Sequence, residues 1–167
     1  PAVRERAERV FGATNSDRAK IVKSFDSVND LAGVASRGQA IYQQNCAQCH
    51  RLRDEGNEVG PDLGGVVDKT IPQLLEAIFD PNRAVESRYL SYTAVTKAGR
   101  EVSGIITAET PNSLTLKLPG GAEETVLRSD LQSLTGSGLS LMPEGLESAL
   151  KPQDVADLIA FIKGGGS

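Results

Sequence analysis

Six residues, Asn45-Cys-Ala-Gln-Cys-His50, hold both cysteines and the single histidine of a 167-residue chain. Two thiols three positions apart stand about one helical turn from each other, and an imidazole directly after the second completes C-x-x-C-H, the attachment signature of a c-type haem. In that chemistry Cys46 and Cys49 add to the two vinyl groups of one porphyrin, and His50 lies beneath the iron as proximal ligand. Three plainer readings compete. A structural zinc site needs about four Cys, His or carboxylate ligands, and the sequence has no second ligand pair. A thioredoxin-like redox pair follows the first strand of a βαβ unit, whereas this pair follows a helical stretch. Chance burial of two cysteines leaves the adjacent histidine unexplained.

The elements that must position these side chains are mostly helical. Residues 34 to 45 read as a helix running straight into the motif, with Gly38 and Tyr42 one turn apart on one face. The following stretch, Arg51 to Val66, is rich in glycine and charge and reads as a long ordered loop. Ile71, Leu74, Leu75, Ile78 and Phe79 then mark an amphipathic helix closed by Asp80-Pro81. A last helix starts at Pro152, carries Val155, Leu158, Ile159 and Ile162 as its apolar stripe, and has Phe161 beside it. Ahead of all this, residues 1 to 31 carry two short helical patterns. One holds Val3, Ala7, Val10 and Phe11; the other, after Asn15 and Ser16, holds Ile21, Val22, Phe25, Val28 and Leu31, predicting a helical hairpin that packs on the main domain.

Residues 89 to 130 differ in character. Short runs of Thr, Val, Ile and Leu are cut at even intervals by "KAGR", "ETPN" and "PGGA", which predicts a four- or five-stranded antiparallel meander, or a small barrel, inserted between helices. Thr135 to Gly145 reads as loop and contains the single methionine, Met142. The expected organisation is thus a helical extension over 1–33, a main domain over 34–163 with the β module at about 89–130, and a linker or tag remnant over 164–167.

Composition bounds the partners. A formal net charge of −4 with 18 scattered basic residues argues against nucleic acid, which needs a clustered positive surface. No apolar run approaches the roughly 18 residues of a membrane span. Compartment and oligomeric state are not legible directly.

"GQAIYQQNCAQCH", then "VGPDLGG", "SLMPEGL" and the closing "VADLIAFIK" together resemble class I c-type cytochromes, and more narrowly the planctomycete-type haem-binding domain at the C-terminal end of dehydrogenase-like proteins. The resemblance covers about residues 34 to 163. It implies a mainly α cytochrome c fold, helices around one covalent haem c per chain, with the small antiparallel β module inserted. It further implies that the Pro61 carbonyl accepts the proximal His50 N–H, that Leu63 packs on the haem face, and that Met142 is the distal iron ligand. Plainer roles exist for each: Pro61 as a loop stiffener, Leu63 as ordinary core, Met142 as a gap filler. Gly38 matches the position where first and last helices cross closely, with Phe161 as packing partner. Arg51 and Arg53 are candidates for a propionate or are a solvated basic patch.

The expected function is one-electron transfer through a His50/Met142-ligated haem, without substrate catalysis, relaying electrons from a redox partner or fused dehydrogenase in a periplasmic or other extracytoplasmic space. The alternative is a haem-based sensor or gas-binding module in which Met142 is displaced. A peroxidase-like enzyme ranks third, since the sequence offers no second histidine or distal acid.

Overall fold

The structure is a computed structural model that describes residues 17–164. The first N-terminal pattern, Val3 to Phe11, lies outside the described residues. The second is helical: α1 (residues 17–24) leads into a 3-10 helix at Asp26–Asp30. Phe25 and Val28 are buried, and the Phe25 ring stacks on Phe79 with centroids 4.1 Å apart. Leu31 remains exposed.

Three further helices build the frame: α2 (Ala35–Asn45), α3 (Ile71–Phe79) and α4 (Pro152–Ile162). Thr70 and Gln73 form a capping box at the start of α3, satisfying amides that the first turn leaves open. Leu74, Leu75 and Phe79 of α3 join Val155 and Ile159 of α4 in one core cluster with Phe25 and Val28.

Helices α2 and α4 cross in close contact. A Cβ built on Gly38 would stand 2.8 Å from Phe161 Cβ, so only glycine lets the two backbones approach this far. Beside that crossing, Asp157 is buried at 2% exposure yet carries charge. Its carboxylate accepts Val34 N–H at 2.7 Å, Arg37 Nε at 2.5 Å and Gln153 Nε2 at 3.0 Å. The acceptor from α4 thereby satisfies the amide at the N-cap of α2, a group helix geometry leaves unpaired.

The β module is a five-stranded antiparallel sheet in which consecutive strands pair except the last, which pairs back onto the first. Its strands are β3 (Leu90–Thr96), β4 (Glu101–Glu109), β5 (Ser113–Lys117), β6 (Glu123–Leu127) and β7 (Leu131–Ser140). Ala94, Val102, Leu116 and Val126 form its own small core, with Leu118, Leu131 and Leu134 packed against it. β6 and β7 are the two edges, so the sheet is open rather than a barrel.

Three sequence expectations need correction. The segment read as loop from Thr135 is largely strand: β7 pairs with β3 from Thr96↔Leu131 to Leu90↔Ser140, extending the module past residue 130. Its Ser/Gly composition hides this, because pairing with β3 supplies the order that side-chain propensity does not. Gly136 lies opposite Tyr92, whose ring fills the place of the missing side chain. The Arg51 to Val66 loop contains a minimal hairpin, β1 (Arg51–Leu52) with β2 (Glu55–Gly56), and a 3-10 helix at Leu63–Val66. Finally, strand and α-helix claim similar shares of the described chain; the α character holds around the Cys/His segment and not for the whole.

Asp157→Ala is expected to cost about 2 kcal/mol, since it strands the Val34 amide and leaves a cavity where a buried carboxylate stood. The Arg37 hydrogen bond holds the Asp157 carboxyl below the usual carboxylate range despite its burial. A depressed folded value means that its stabilisation is full above the unfolded pKa and lost as pH falls through the folded one. Urea unfolding of both proteins should therefore show the gap narrowing as pH drops below about 4.

Candidate haem-attachment site

The motif hangs from the end of α2. Cys46 N–H donates to Tyr42 O at 2.8 Å, and a further turn follows through Cys49 N–H (3.0 Å) and His50 N–H (2.8 Å) to Cys46 O. One added helical turn thus carries both thiols and the imidazole. Both cysteines are free. Cys46 packs on the cluster of Tyr42, Leu52, Leu158 and Ile162. Burial pushes its thiol up to about 11, with Cys49 adding to the shift, and burial raises Cys49 as well. At neutral pH burial keeps both thiols in the protonated form. No group of three or more metal-capable side chains occurs among the described residues, short of the four ligands of a structural zinc site.

His50 is oriented by its second nitrogen. Nδ1 lies 2.8 Å from Pro61 O, and a carbonyl only accepts, so Nδ1 carries the proton and Nε2 the lone pair. Burial lowers the His50 pKa while the Pro61 bond opposes it; the ring is neutral near pH 7. Nε2 has no hydrogen bond among the described residues. The ring lies flush against Gly60, where a Cβ would stand 2.6 Å from Cε1. A neutral imidazole with Nε2 free among the described residues, one unpaired thiol directly before it and one a turn upstream, and a glycine cradle form a donor set that fits haem c.

Every carbonyl of the motif is held. Cys46 O serves the turn itself; Ala47 O accepts Asn57 N–H at 3.0 Å; Cys49 O accepts Val59 N–H at 2.9 Å and Gly60 N–H at 2.6 Å; Gln48 O accepts Gly120 N–H at 2.9 Å. His50 O accepts the Tyr42 hydroxyl at 2.8 Å. Tyr42 is fully buried, and its hydroxyl also lies 3.0 Å from Glu55 O, tying the β1–β2 hairpin to the motif. The sequence points to Tyr42 only as core, and gives no signal for Asn57 or Gly120, because these pairings follow no local period.

The structure gathers Cys46, Cys49, His50 and Pro61, with Leu63 half-buried on the same cluster as Cys46. Met142 is half-buried in the loop after β7, where its N–H donates to Ser140 Oγ at 3.1 Å. Asn82 fixes that loop by accepting Ser140 N–H at 2.9 Å and donating to Glu144 at 2.6 Å. No described hydrogen bond or core cluster joins Met142 to His50. Both arginines are exposed: Arg51 pairs with Glu58, and Arg53 lies over the Phe161 ring, 5.3 Å from its centroid.

Residues 35–105 match the family model for cytochrome c. That family binds haem c covalently, and Cys46 and Cys49 have its C-x-x-C-H spacing. The chain is 53% identical over 36 residues to the "Cytochrome c-553-like" protein of Synechocystis sp., covering 22% of this chain and 33% of that one. It is 46% identical over 37 residues to "Cytochrome c" of Arabidopsis thaliana, covering 22% and 33%. With "Cytochrome c 2.1" of Caenorhabditis briggsae it shares 34% identity over 65 residues, covering 39% and 56%. The chain thus spans about a third of the length of the first two relatives and about half of the third.

Tyr42→Phe keeps the ring and removes one hydroxyl that serves two carbonyls. It should lower thermal stability by about 1 kcal/mol with unchanged far-UV circular dichroism.

Proposed function

We propose that this chain is a one-electron carrier, with haem c bonded to Cys46 and Cys49, His50 as proximal ligand and Met142 as distal ligand. The observation that carries the reading is the His50 Nδ1 to Pro61 O hydrogen bond at 2.8 Å, which leaves Nε2 unprotonated and without a donor among the described residues, beside two free thiols. When bound, haem supplies the one-electron couple. The chain's own residues set the conditions: Pro61 fixes the imidazole tautomer and raises its basicity, and Gly60 and the buried surroundings hold the ring. A thioether from Met142 is a soft ligand that favours the reduced state and so raises the potential.

The cytochrome c match over residues 35–105 supports an electron carrier rather than a catalyst. One electron arrives from a reduced protein, by our reading a fused or neighbouring dehydrogenase, and leaves to an oxidised acceptor. The β module between α3 and α4 supports the narrower likeness to the planctomycete-type domain. Because thioether attachment is made outside the cytoplasm, we place the domain in an extracytoplasmic space, the periplasm in a bacterium. Among the described residues no helix is long and apolar enough to cross a membrane.

Two tests follow. Mass spectrometry of the denatured, mature polypeptide should show a tetrapyrrole mass that is lost in the Cys46→Ala, Cys49→Ala double variant; bare thiols in the parent protein would end the haem assignment. Met142→Ala should abolish the thioether-to-iron charge-transfer band and lower the reduction potential. Band and potential both unchanged would return Met142 to a packing role, and rapid binding of CO by the unmutated reduced protein would favour gas sensing.

A further inference from the structure

The turn between β5 and β6 reaches across to the Cys/His motif. Gly120 N–H donates to Gln48 O at 2.9 Å, and the turn is closed by Gly121 N–H to Leu118 O at 2.9 Å and Leu118 N–H to Ala122 O at 2.8 Å. Leu118 is anchored against the small core of the sheet, so the tip is carried on a packed base. Gly121 lies against Asn57: a Cβ there would stand 2.8 Å from Asn57 Oδ1 and 3.2 Å from its Cγ. Asn57 has little room to give way, because its side-chain amide donates to Ala47 O at 3.2 Å and Gln48 O at 3.4 Å. The tip is therefore bonded to Gln48, one of the two residues between the thiols, and rests on Asn57, the side chain that braces Ala47 and Gln48.

A porphyrin bonded to Cys46 and Cys49 has one edge fastened to this short segment, so whatever lies on Ala47 and Gln48 stands next to that edge. Resting on the haem reading, we propose that the Pro119–Gly121 turn is a fixed cover on the attachment segment that restricts approach of redox partners from the Ala47–Gln48 side. The β module is then part of the electron-exchange surface. Its position is fixed by backbone hydrogen bonding to the motif rather than by a flexible tether, so the restriction is present in both oxidation states.

The test compares Gly121→Leu with Gly99→Leu in the holoprotein, after mass spectrometry has shown covalent haem in each. Gly99, in the β3–β4 turn, has φ +80° against +82° at Gly121, with open space where its Cβ would go. Both variants carry similar left-handed strain, and only Gly121→Leu pushes the tip off Asn57. The expected result is that hexacyanoferrate(III) oxidises reduced Gly121→Leu about threefold faster than the parent, and that its Gly120 amide exchanges with solvent about fivefold faster. Gly99→Leu should match the parent in both.

Equal oxidation rates in all three proteins overturn the proposal. So does faster exchange with an unchanged oxidation rate, which leaves the turn a brace and not a cover. Should Gly121→Leu fail to fold, replacing residues 119–121 by Asn-Gly makes a two-residue hairpin that retracts the tip, with the same rate increase expected and the same null result fatal. A parent protein without covalent haem would count against the haem reading itself, and would be seen before any rate is measured.

Discussion

Two thiols and an imidazole must face one flat group from five consecutive residues, and beyond the single turn that closes on Cys46 O the carbonyls of this segment have no regular ladder to pair them. Peptide carbonyls left without donors in a partly buried place cost roughly 1–3 kcal/mol each, enough to consume the stability of a small domain. Here donors come from four separate places: the turn itself, residues 57–60, the Tyr42 hydroxyl and the Gly120 amide. The His50 ring adds a fifth tie through Pro61. A segment tied from so many directions keeps its side chains aimed with only one turn of its own secondary structure, and the rest of the chain is arranged to bring the other donors in.

The α2–α4 crossing is the largest part of that arrangement. Gly38 lets the two helices approach, Phe161 and Tyr42 lie with ring centroids 5.5 Å apart, and Leu158 and Ile162 close the cluster on which Cys46 packs. Tyr42 thus has two duties that need each other. Its ring must be buried by α4 for its hydroxyl to be fixed, and only a fixed hydroxyl can hold His50 O at the one angle that suits the turn. The buried Asp157 serves the same crossing from the other end by capping α2, a polar device that is stable only because Arg37 and Gln153 meet the carboxylate there.

The readable parts of the sequence are those governed by local chemistry. The C-x-x-C-H motif and the amphipathic spacing of α3 and α4 follow from a spacing or a period, and the structure shows them; the Gly38–Phe161 packing, also present, is implied by family likeness alone. The Pro61 acceptor came from family likeness, since eleven residues of irregular loop carry no pattern of their own. β7 was missed because strand formation there depends on an existing neighbour, β3, and its glycines and serines read as loop. The donors on Asn57 and Gly120 were missed for the same reason: each is a tertiary pairing between segments that look unremarkable separately.

The inserted sheet bears directly on Met142. Ninety-two positions separate it from His50, a span that on its own would carry a large closure cost for any contact between the two. The sheet removes most of that cost, because its first and last strands are partners: Leu90 pairs with Ser140, so the chain leaves the module beside the point where it entered. Asn82, just before the sheet, holds Ser140 and Glu144, just after it, and Arg18 ties Glu147 to the carbonyl of Phe79 at the end of α3. Loop-closure entropy grows only with the logarithm of loop length, and here the paired neck makes the effective loop shorter still. An insertion with a neck of this kind can lengthen the chain without moving the residue that follows it, while its far end is free to reach the Cys/His segment.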